Sequence, residues 1–355
     1  MTCPNNYIQS LHSMSLEALG QLLSQEGEKP FRAKQIFNWV YERKIADFEK
    51  MTDLNKALRI QLKEKLSLTS IIQKSVQASK DDETTKFLWQ LEDDKLVESV
   101  LICSKDRRTV CVSSQVGCPA RCAFCASGKE GLVRQLTAAE IFSQVYQIDQ
   151  FLHCKGERVS HVVFMGMGEP FENYDNVLKS IYLLNDPLRL NISQRRITVS
   201  TVGVIEGIER FTKENLSVNL VLSLHAPNQH IRKKIIPYSR KYPLEDILSA
   251  MVAYARESRR DITYEYTLME GINDLPEHAE ELAMLLQGQQ CTVNLIPYNP
   301  VPGLHLKRPE KESIEEFKRI LTSRGIVTTW RYTKGKDIAA ACGQLALQES
   351  QLPKK

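Results

Sequence analysis

No apolar run in this 355-residue sequence approaches the length of a membrane span, and polar residues come early at the N-terminus with no signal-like apolar core behind them. Membrane insertion and export are therefore not expected, and a cytoplasmic globular protein of enzyme size is. Charge of neither sign dominates: 47 Lys and Arg against 43 Asp and Glu leave a net +4, which permits a nucleic-acid partner without requiring one. A paired set of cysteines is also missing. Nine is an odd number, and they cluster around one loop, which suits metal or redox chemistry in a reducing compartment better than a disulfide framework.

What is present centres on Cys118-Pro-Ala-Arg-Cys122-Ala-Phe-Cys125, three thiols within eight residues with no fourth nearby. An iron–sulfur cube needs four ligands, so this loop would hold three irons and leave the fourth open to an exogenous chelate. A zinc knuckle that borrows a distant His or Cys, or three reduced bystander thiols, are the alternatives by spacing alone. Downstream, Gly166-Met167-Gly168-Glu169-Pro170 follows an apolar strand and Ser223-Leu224-His225 ends another. Both place small or polar groups at strand ends, where an α/β sheet binds ligands. The bare G-x-G is equally compatible with a tight turn.

The first ninety residues read as a separate helical module. Leu16, Leu19, Leu22 and Leu23 make one stripe, and Ile36, Phe37, Val40 and Tyr41 a second after Pro30. A third helix runs from a Thr52 cap through Leu54, Leu58, Leu62 and Leu66. Arg32, Lys34, Arg43 and Lys44 interleave with Trp39 and Tyr41, a pattern suited either to phosphate contact with base stacking or to a solvated basic face over an aromatic core. Residues 86–102 form a hairpin turning at Asp93-Asp94. Glu98 shares strand parity with Leu96, Val100 and Ile102, which puts a carboxyl on an apolar face where burial raises its pKa; the other possibility is that this face is solvent and Val97 and Leu101 point inward.

From Arg108 the chain alternates strands and helices. Strands are expected at 109–115, 159–165, 196–202, 217–224, 262–268 and 291–297, with a last one possible at 326–332. The intervening helices include one opened by the box Thr137-x-x-Glu140, one carrying Val177, Ile181 and Leu184, and one opening at Pro243. Six units rather than eight give an open, partial (β/α)6 barrel of the α/β class, with a lateral mouth. The expected division is a helical accessory domain at 1–85, a connecting hairpin at 86–103, the barrel at 104–337, and a loop and tail at 338–355. Thr333 to Gln344 reads as a mobile loop carrying Cys342, with Lys334 and Lys336 nearby to favour its thiolate. Cys3, Cys103, Cys154 and Cys291 are taken as small core residues. Scattered basic pairs such as Arg195-Arg196 and Arg259-Arg260 are treated as solvated surface.

The C-x-x-x-C-x-x-C spacing is the signature of radical S-adenosylmethionine enzymes. Its surroundings are Val112-Ser-Ser-Gln-Val-Gly-Cys118, Met165-Gly-Met-Gly-Glu-Pro170, Ser200-Thr-Val-Gly203, Ile296-Pro-Tyr-Asn-Pro300 and Gly335-Lys-Asp-Ile-Ala-Ala-Ala-Cys342-Gly-Gln-Leu345. In these words, from about Leu16 to Leu345, the chain resembles the RlmN/Cfr family of RNA adenine methyltransferases. Pro119, Ser127 in place of Thr, and the tail after Leu345 depart from the pattern, none at a ligand position. The resemblance implies a 4Fe–4S cluster on Cys118, Cys122 and Cys125. It also implies two S-adenosylmethionine molecules per turnover, contacted by Gly168, Glu169, Ser200, Ser223, Leu224, His225 and Asn299. It makes Cys342 a methyl carrier through S-methylcysteine, Glu98 the proton acceptor, and Cys111 the partner of Cys342 in a transient disulfide that an external reductant and electron donor must reset. Its expected substrates are 23S rRNA near the peptidyl transferase centre and the adenosine beside the tRNA anticodon, methylated at carbon 2 by a monomer; carbon 8, as in Cfr, and a noncatalytic zinc-containing RNA-binding module are the competing readings.

Overall fold

Ser15 and Asn55 each end an extended segment with an oxygen that accepts an N–H three residues on, and so open helices α1 (Leu16–Gln25) and α3 (Lys56–Lys65). Between them α2 (Arg32–Phe37) widens into a π turn over Asn38–Glu42. Two short parallel strands, β1 (Gln9–Ser10) and β2 (Leu66–Ser67), tie the ends of this region together. The computed structural model describes residues 9–331 and 333–345; Cys3, Tyr332 and the tail beyond Leu345 lie outside them.

Strands β3 (Ile72–Ala78), β4 (Thr84–Gln90) and β5 (Leu96–Ser104) form an antiparallel meander that turns at Asp93 and Asp94, the latter with φ +61°. After β6 (Arg107–Cys111) a hairpin, β7 (Gln115–Gly117) with β8 (Leu132–Gln135), brackets the three-cysteine loop. Then follow α4 (Ala138–His153), β9 (His161–Phe164), α5 (Tyr174–Asn185), β10 (Ile197–Thr201), α6 (Ile205–Lys213) and β11 (Asn219–Ser223). The chain continues through α7 (Gln229–Ile235), α8 (Leu244–Ser258), β12 (Ile262–Leu268), α9 (Pro276–Leu285), β13 (Cys291–Pro297), α10 (Lys311–Ser323) and β14 (Val327–Trp330).

Ten strands make one sheet in the order β14-β13-β12-β11-β10-β9-β6-β5-β4-β3. From β6 to β14 every neighbouring pair is parallel, so the six βα units expected are present and β14 adds a seventh parallel strand. The meander continues the sheet antiparallel beyond β6. The capping box at Thr137 forms as read, with Glu140 accepting from the Thr137 N–H at 2.8 Å.

Two expectations for the N-terminal region are corrected. The helical run ends at Lys65, and Ile72–Ala78 belongs to the barrel's own sheet, as its edge. Nor is the module separate: its buried Leu19, Phe37, Val40 and Leu58 fall in the same core as Phe142 and Tyr146 of α4. The Tyr146 hydroxyl donates to Val40 O at 2.9 Å, and the buried Arg189 guanidinium bonds the Tyr41 hydroxyl and the Met14 carbonyl. Trp39 and Tyr41 are 7% and 3% exposed, which removes them as base-stacking platforms. Arg43 covers the Trp39 ring at 4.1 Å, Lys44 pairs with Asp149, and the solvated face over an aromatic core is what forms.

Candidate active site

Side chains alternate across a strand, so register identifies which residues share the barrel's inner face. Glu98 lies two residues from Val100, which pairs with both Lys86 and Cys111. Cys111 pairs with Val163 and Val163 with Thr198. Ser200, two residues on, pairs with Val221; Ser223 pairs with Glu265, Glu265 with Asn294, and Asn294 with Thr329. One face thus carries Glu98, Cys111, Ser200 and Ser223, all singled out from sequence, together with Lys86 and Glu265, which were not.

At the C-terminal ends of these strands a cavity is lined by Cys118, Cys122 and Cys125, by Gly168, Glu169, Ser200, Ser223, His225 and Asn299, and by Cys342. Leu224 differs. Its side chain is fully buried in the core, and its carbonyl accepts from Arg232 at 3.1 Å. Burial above all pushes the three cluster-loop thiols up, Cys118 to about 12, with repulsion from neighbouring cysteines adding to it. An electron-poor metal cluster relieves that cost by holding them as thiolates. Three thiols on one wall of the cavity are a donor set that fits an iron–sulfur cube with one iron left open.

The loop is held by glycine. Gly117 has φ +74°, and a Cβ there would sit 2.0 Å from Gly131 O, so only a bare backbone lets the hairpin cross beside Cys118. Gly168, at φ +111°, approaches Ser114 and Gln115 so closely that a Cβ would lie 2.7 Å from the nearest atoms of both. The word before the first cysteine is therefore scaffold: Ser113 Oγ accepts from Met167 N at 2.9 Å, and Gln115 Oε1 from Glu169 N at 2.7 Å. Glu169 is fully enclosed and accepts from Thr201 Oγ1 (2.7 Å), Val202 N (2.8 Å) and Phe171 N (3.0 Å). Burial outweighs those bonds and lifts its carboxyl to about 7. His225, held at about 3 by burial, accepts the Thr267 N–H on Nδ1, so its proton sits on Nε2 and makes it a neutral donor.

Glu98 is buried, which settles its face: this is barrel interior rather than solvent, while Val97 and Leu101 are buried on the opposite side. The Lys86 ammonium stands 3.2 Å from its Oε1, a counter-charge the sequence reading missed. The segment carrying Cys342 is irregular, as read, but pinned at both ends. Asp337 accepts from Ser79 Oγ (2.7 Å) and Lys80 N (2.8 Å), and Asp82 from Gly335 N (2.7 Å). At the other end Ala126 N donates to Gly343 O (2.8 Å), Ser127 Oγ to Leu345 O (2.6 Å) and Asn299 Nδ2 to Cys342 O (3.2 Å).

The cation beside Cys342 is not the expected one. Lys334 reaches away to Cys103 O at 2.7 Å, whereas Arg331 lies on the cavity wall with Cys342, 3.9 Å from Glu265, and the facing Cys342 raises its pKa further. Arg331 also opposes the burial that pushes Cys111 up to about 12. Among the cysteines taken as core, Cys291 is buried and Cys103 half-buried, but Cys154 is exposed at the C-cap of α4 and is no core residue.

Residues 112–286 match the radical SAM superfamily and residues 9–68 the ribosomal RNA large subunit methyltransferase N-terminal domain. A crystal structure of a radical SAM methyltransferase from Sphaerobacter thermophilus superposes with a TM-score of 0.92 at 43% identity, covering 95% of this chain and 99% of that one. An open barrel with a three-cysteine loop and a ligand cavity at its strand ends is thus that of a radical S-adenosylmethionine enzyme, which uses S-adenosylmethionine and a 4Fe–4S cluster. The probable dual-specificity RNA methyltransferase RlmN 2 of Protochlamydia amoebophila is 61% identical over 335 residues, 94% of each chain. The probable dual-specificity RNA methyltransferase RlmN of Bacillus subtilis is 45% identical over 342 residues, 96% of this chain and 94% of that one. The chain belongs to the RlmN family of RNA methyltransferases.

Proposed function

We propose that this enzyme methylates carbon 2 of adenosine in 23S rRNA at the peptidyl transferase centre and in tRNA beside the anticodon, by way of S-methylcysteine at Cys342. The observation that carries the reading is the convergence of Cys342 and the three cluster-loop thiols on one cavity, with Cys111 and Glu98 on the barrel face below it. Ring carbon 2 lies between two electron-withdrawing nitrogens and is a poor nucleophile, so simple displacement on the methyl of S-adenosylmethionine fails there. A thiolate is a good nucleophile, and Cys342 takes that methyl first. The cluster and a second S-adenosylmethionine supply the 5'-deoxyadenosyl radical that activates the methylated side chain. The activated carbon on Cys342 then bonds to ring carbon 2, the adduct's odd electron returning to the cluster as Glu98 takes the ring proton. Cys111 attacks the Cys342 sulfur, and the electron pair of the broken carbon–sulfur bond stays with the released carbon, which takes a proton to become the methyl group as the disulfide forms.

Gly168, Glu169, Ser200, Ser223, His225 and Asn299 hold the cofactor, Glu169 through its amino group; Leu224 contributes backbone shape. Two cofactor molecules per turnover, an external reductant and a monomeric enzyme complete the proposal. Nucleoside mass spectrometry tests it, on rRNA and tRNA from a bacterial host that lacks its own enzyme and expresses this chain or a Cys342→Ala variant. The expected result is 2-methyladenosine with the intact chain alone, in both RNAs. Its absence from tRNA removes the second substrate, 8-methyladenosine makes the enzyme Cfr-like, and no methyladenosine from cluster-loaded enzyme overturns the reading.

A further inference from the structure

Arg232 is among the largest side chains with no exposed surface, and the reaction above gives it nothing to do. It projects from α7 beneath the cofactor-facing strand ends. Its Nε donates to Leu224 O at 3.1 Å, and its Nη2 to Val202 O at 2.6 Å and Ser223 O at 3.2 Å. All three acceptors are backbone carbonyls, and Nη1 has no hydrogen-bond partner among the described residues. A guanidinium held only by carbonyls is a buried charge without a carboxylate hydrogen-bonded to it, an arrangement that is costly unless some nearby charge offsets it.

Val202 and Ser223, whose carbonyls hold it, line the same cavity wall as Cys122 and Glu169. The helix that carries it is fastened to the cluster loop. Ala123 N donates to Ile235 O at 2.8 Å, and Ile231 and Ile235 pack in one cluster with Phe124, against which Cys122 and Cys125 rest. Although burial lowers its pKa to about 10, Arg232 remains a cation at neutral pH. Three thiolates leave the iron–sulfur cube with a net negative charge, and each electron it accepts adds to that charge in a site where burial limits solvent screening.

We propose that Arg232 sets the potential of the cluster: its buried guanidinium, locked by the Val202, Ser223 and Leu224 carbonyls, offsets the negative charge gained when the cluster takes one electron from an external low-potential donor. The cluster on Cys118, Cys122 and Cys125 is thereby easier to reduce. This inference rests on the radical S-adenosylmethionine assignment, and it concerns the electron-transfer step, in which the donor is oxidised by one electron and the cluster reduced by one.

The test is an anaerobic redox titration, followed by electron paramagnetic resonance, of full-length cluster-loaded enzyme in the wild type, Arg232→Lys and Arg232→Gln. Lysine keeps the charge and loses the fork; glutamine keeps hydrogen bonding and loses the charge. The expected outcome is a Lys variant near the wild-type potential, with the Gln variant displaced so that the reduced-to-oxidised ratio falls at least tenfold at a given potential, about 59 mV for one electron. Equal shifts in both variants, or none in either, overturn the proposal. So does failure of both variants to fold or to take up iron, because that assigns Arg232 to the scaffold. If the Lys variant loads at wild-type potential and the Gln variant loads no cluster, charge is again what matters. A wild type with no iron–sulfur signal would instead strike at the cluster assignment itself.

Discussion

At the scale of single residues, two buried acids divide the chemistry. Cys111 is pushed up to about 12 by burial, and Cys342, its proposed disulfide partner, faces the cavity. If Cys111 resolves the adduct, Cys111→Ala stops after a single event, with RNA covalently fixed to Cys342, and turnover number does not exceed about one. A denaturing gel of labelled RNA reads this; a variant free of attached RNA, although Cys342 is methylated and RNA supplied, removes Cys111 from the role. Glu169 makes a second prediction. A carboxyl at about 7 must be ionised to hold the ammonium of S-adenosylmethionine, so affinity should fall toward tenfold per pH unit below pH 7 and level off above it. Calorimetric binding between pH 6 and 8 on cluster-loaded enzyme checks this, and a flat profile counts against Glu169 as the anchor. Glu169 and the cysteines were legible because glycines and close spacing mark them. Arg331, Glu265 and Arg232 were not: the first two are single charges in strand patterns, Arg232 stands in the basic run Arg232-Lys233-Lys234 that reads as solvated surface, and only strand register or helix docking turns them inward.

Elements carry the site through close backbone approach. The Gly117–Gly131 crossing fixes where the cysteine loop leaves the barrel, and Gly117→Ala brings both a positive-φ penalty of about 1–3 kcal/mol and a collision with Gly131 O. Gly27→Ala separates the two effects. Gly27 has φ +78° and open space where a Cβ would go, so it bears the dihedral strain alone. Iron bound per chain is expected to drop severalfold in Gly117→Ala and to stay near wild type in Gly27→Ala, with melting temperature lowered in both. Equal iron in the two variants would mean that the crossing does not position the loop. The βα rhythm was readable because buried parallel strands are apolar runs bounded by turns, and the β4–β5 hairpin because Asp93-Asp94 interrupts an alternating pattern. β3 was lost in the helical module, since Ile72–Ala78 is an edge strand that buries none of its residues fully and even exposes Ile72 and Val76, so no apolar face marks it.

Over the whole molecule, amphipathic stripes reveal which faces must be covered but not what covers them, so the N-terminal helices read as a separate module although they share the barrel's core. The join is built around His12. Its ring is fully buried against Tyr41, Phe142 and Tyr146, with Nδ1 2.9 Å from the Tyr41 hydroxyl and the Arg189 guanidinium bonded to that same hydroxyl. Burial first, and the Arg189 charge second, bring its pKa down to about 3 from 6.5. Between those values the unfolded chain binds a proton that the native chain refuses, so stability from this residue is complete above pH 6.5 and is lost as pH falls toward 3. Glutamine at position 12 keeps a hydrogen-bonding group for Tyr41 and cannot titrate. The stability of the wild type relative to His12→Gln is therefore expected to fall by about 1.4 kcal/mol per pH unit below 6.5, or about 2 kcal/mol between pH 7 and 5. Urea unfolding of both proteins at several pH values measures the difference, and any matching titrations of Glu169 or the carboxylates cancel in it. If the two stability curves run parallel, His12 is not the acid-sensitive pin of the join. If they diverge and the N-terminal helices and the barrel also lose hydrogen-exchange protection in one step, then protonation at a single buried ring loosens the whole enzyme, because the module and the catalytic barrel are held by one core.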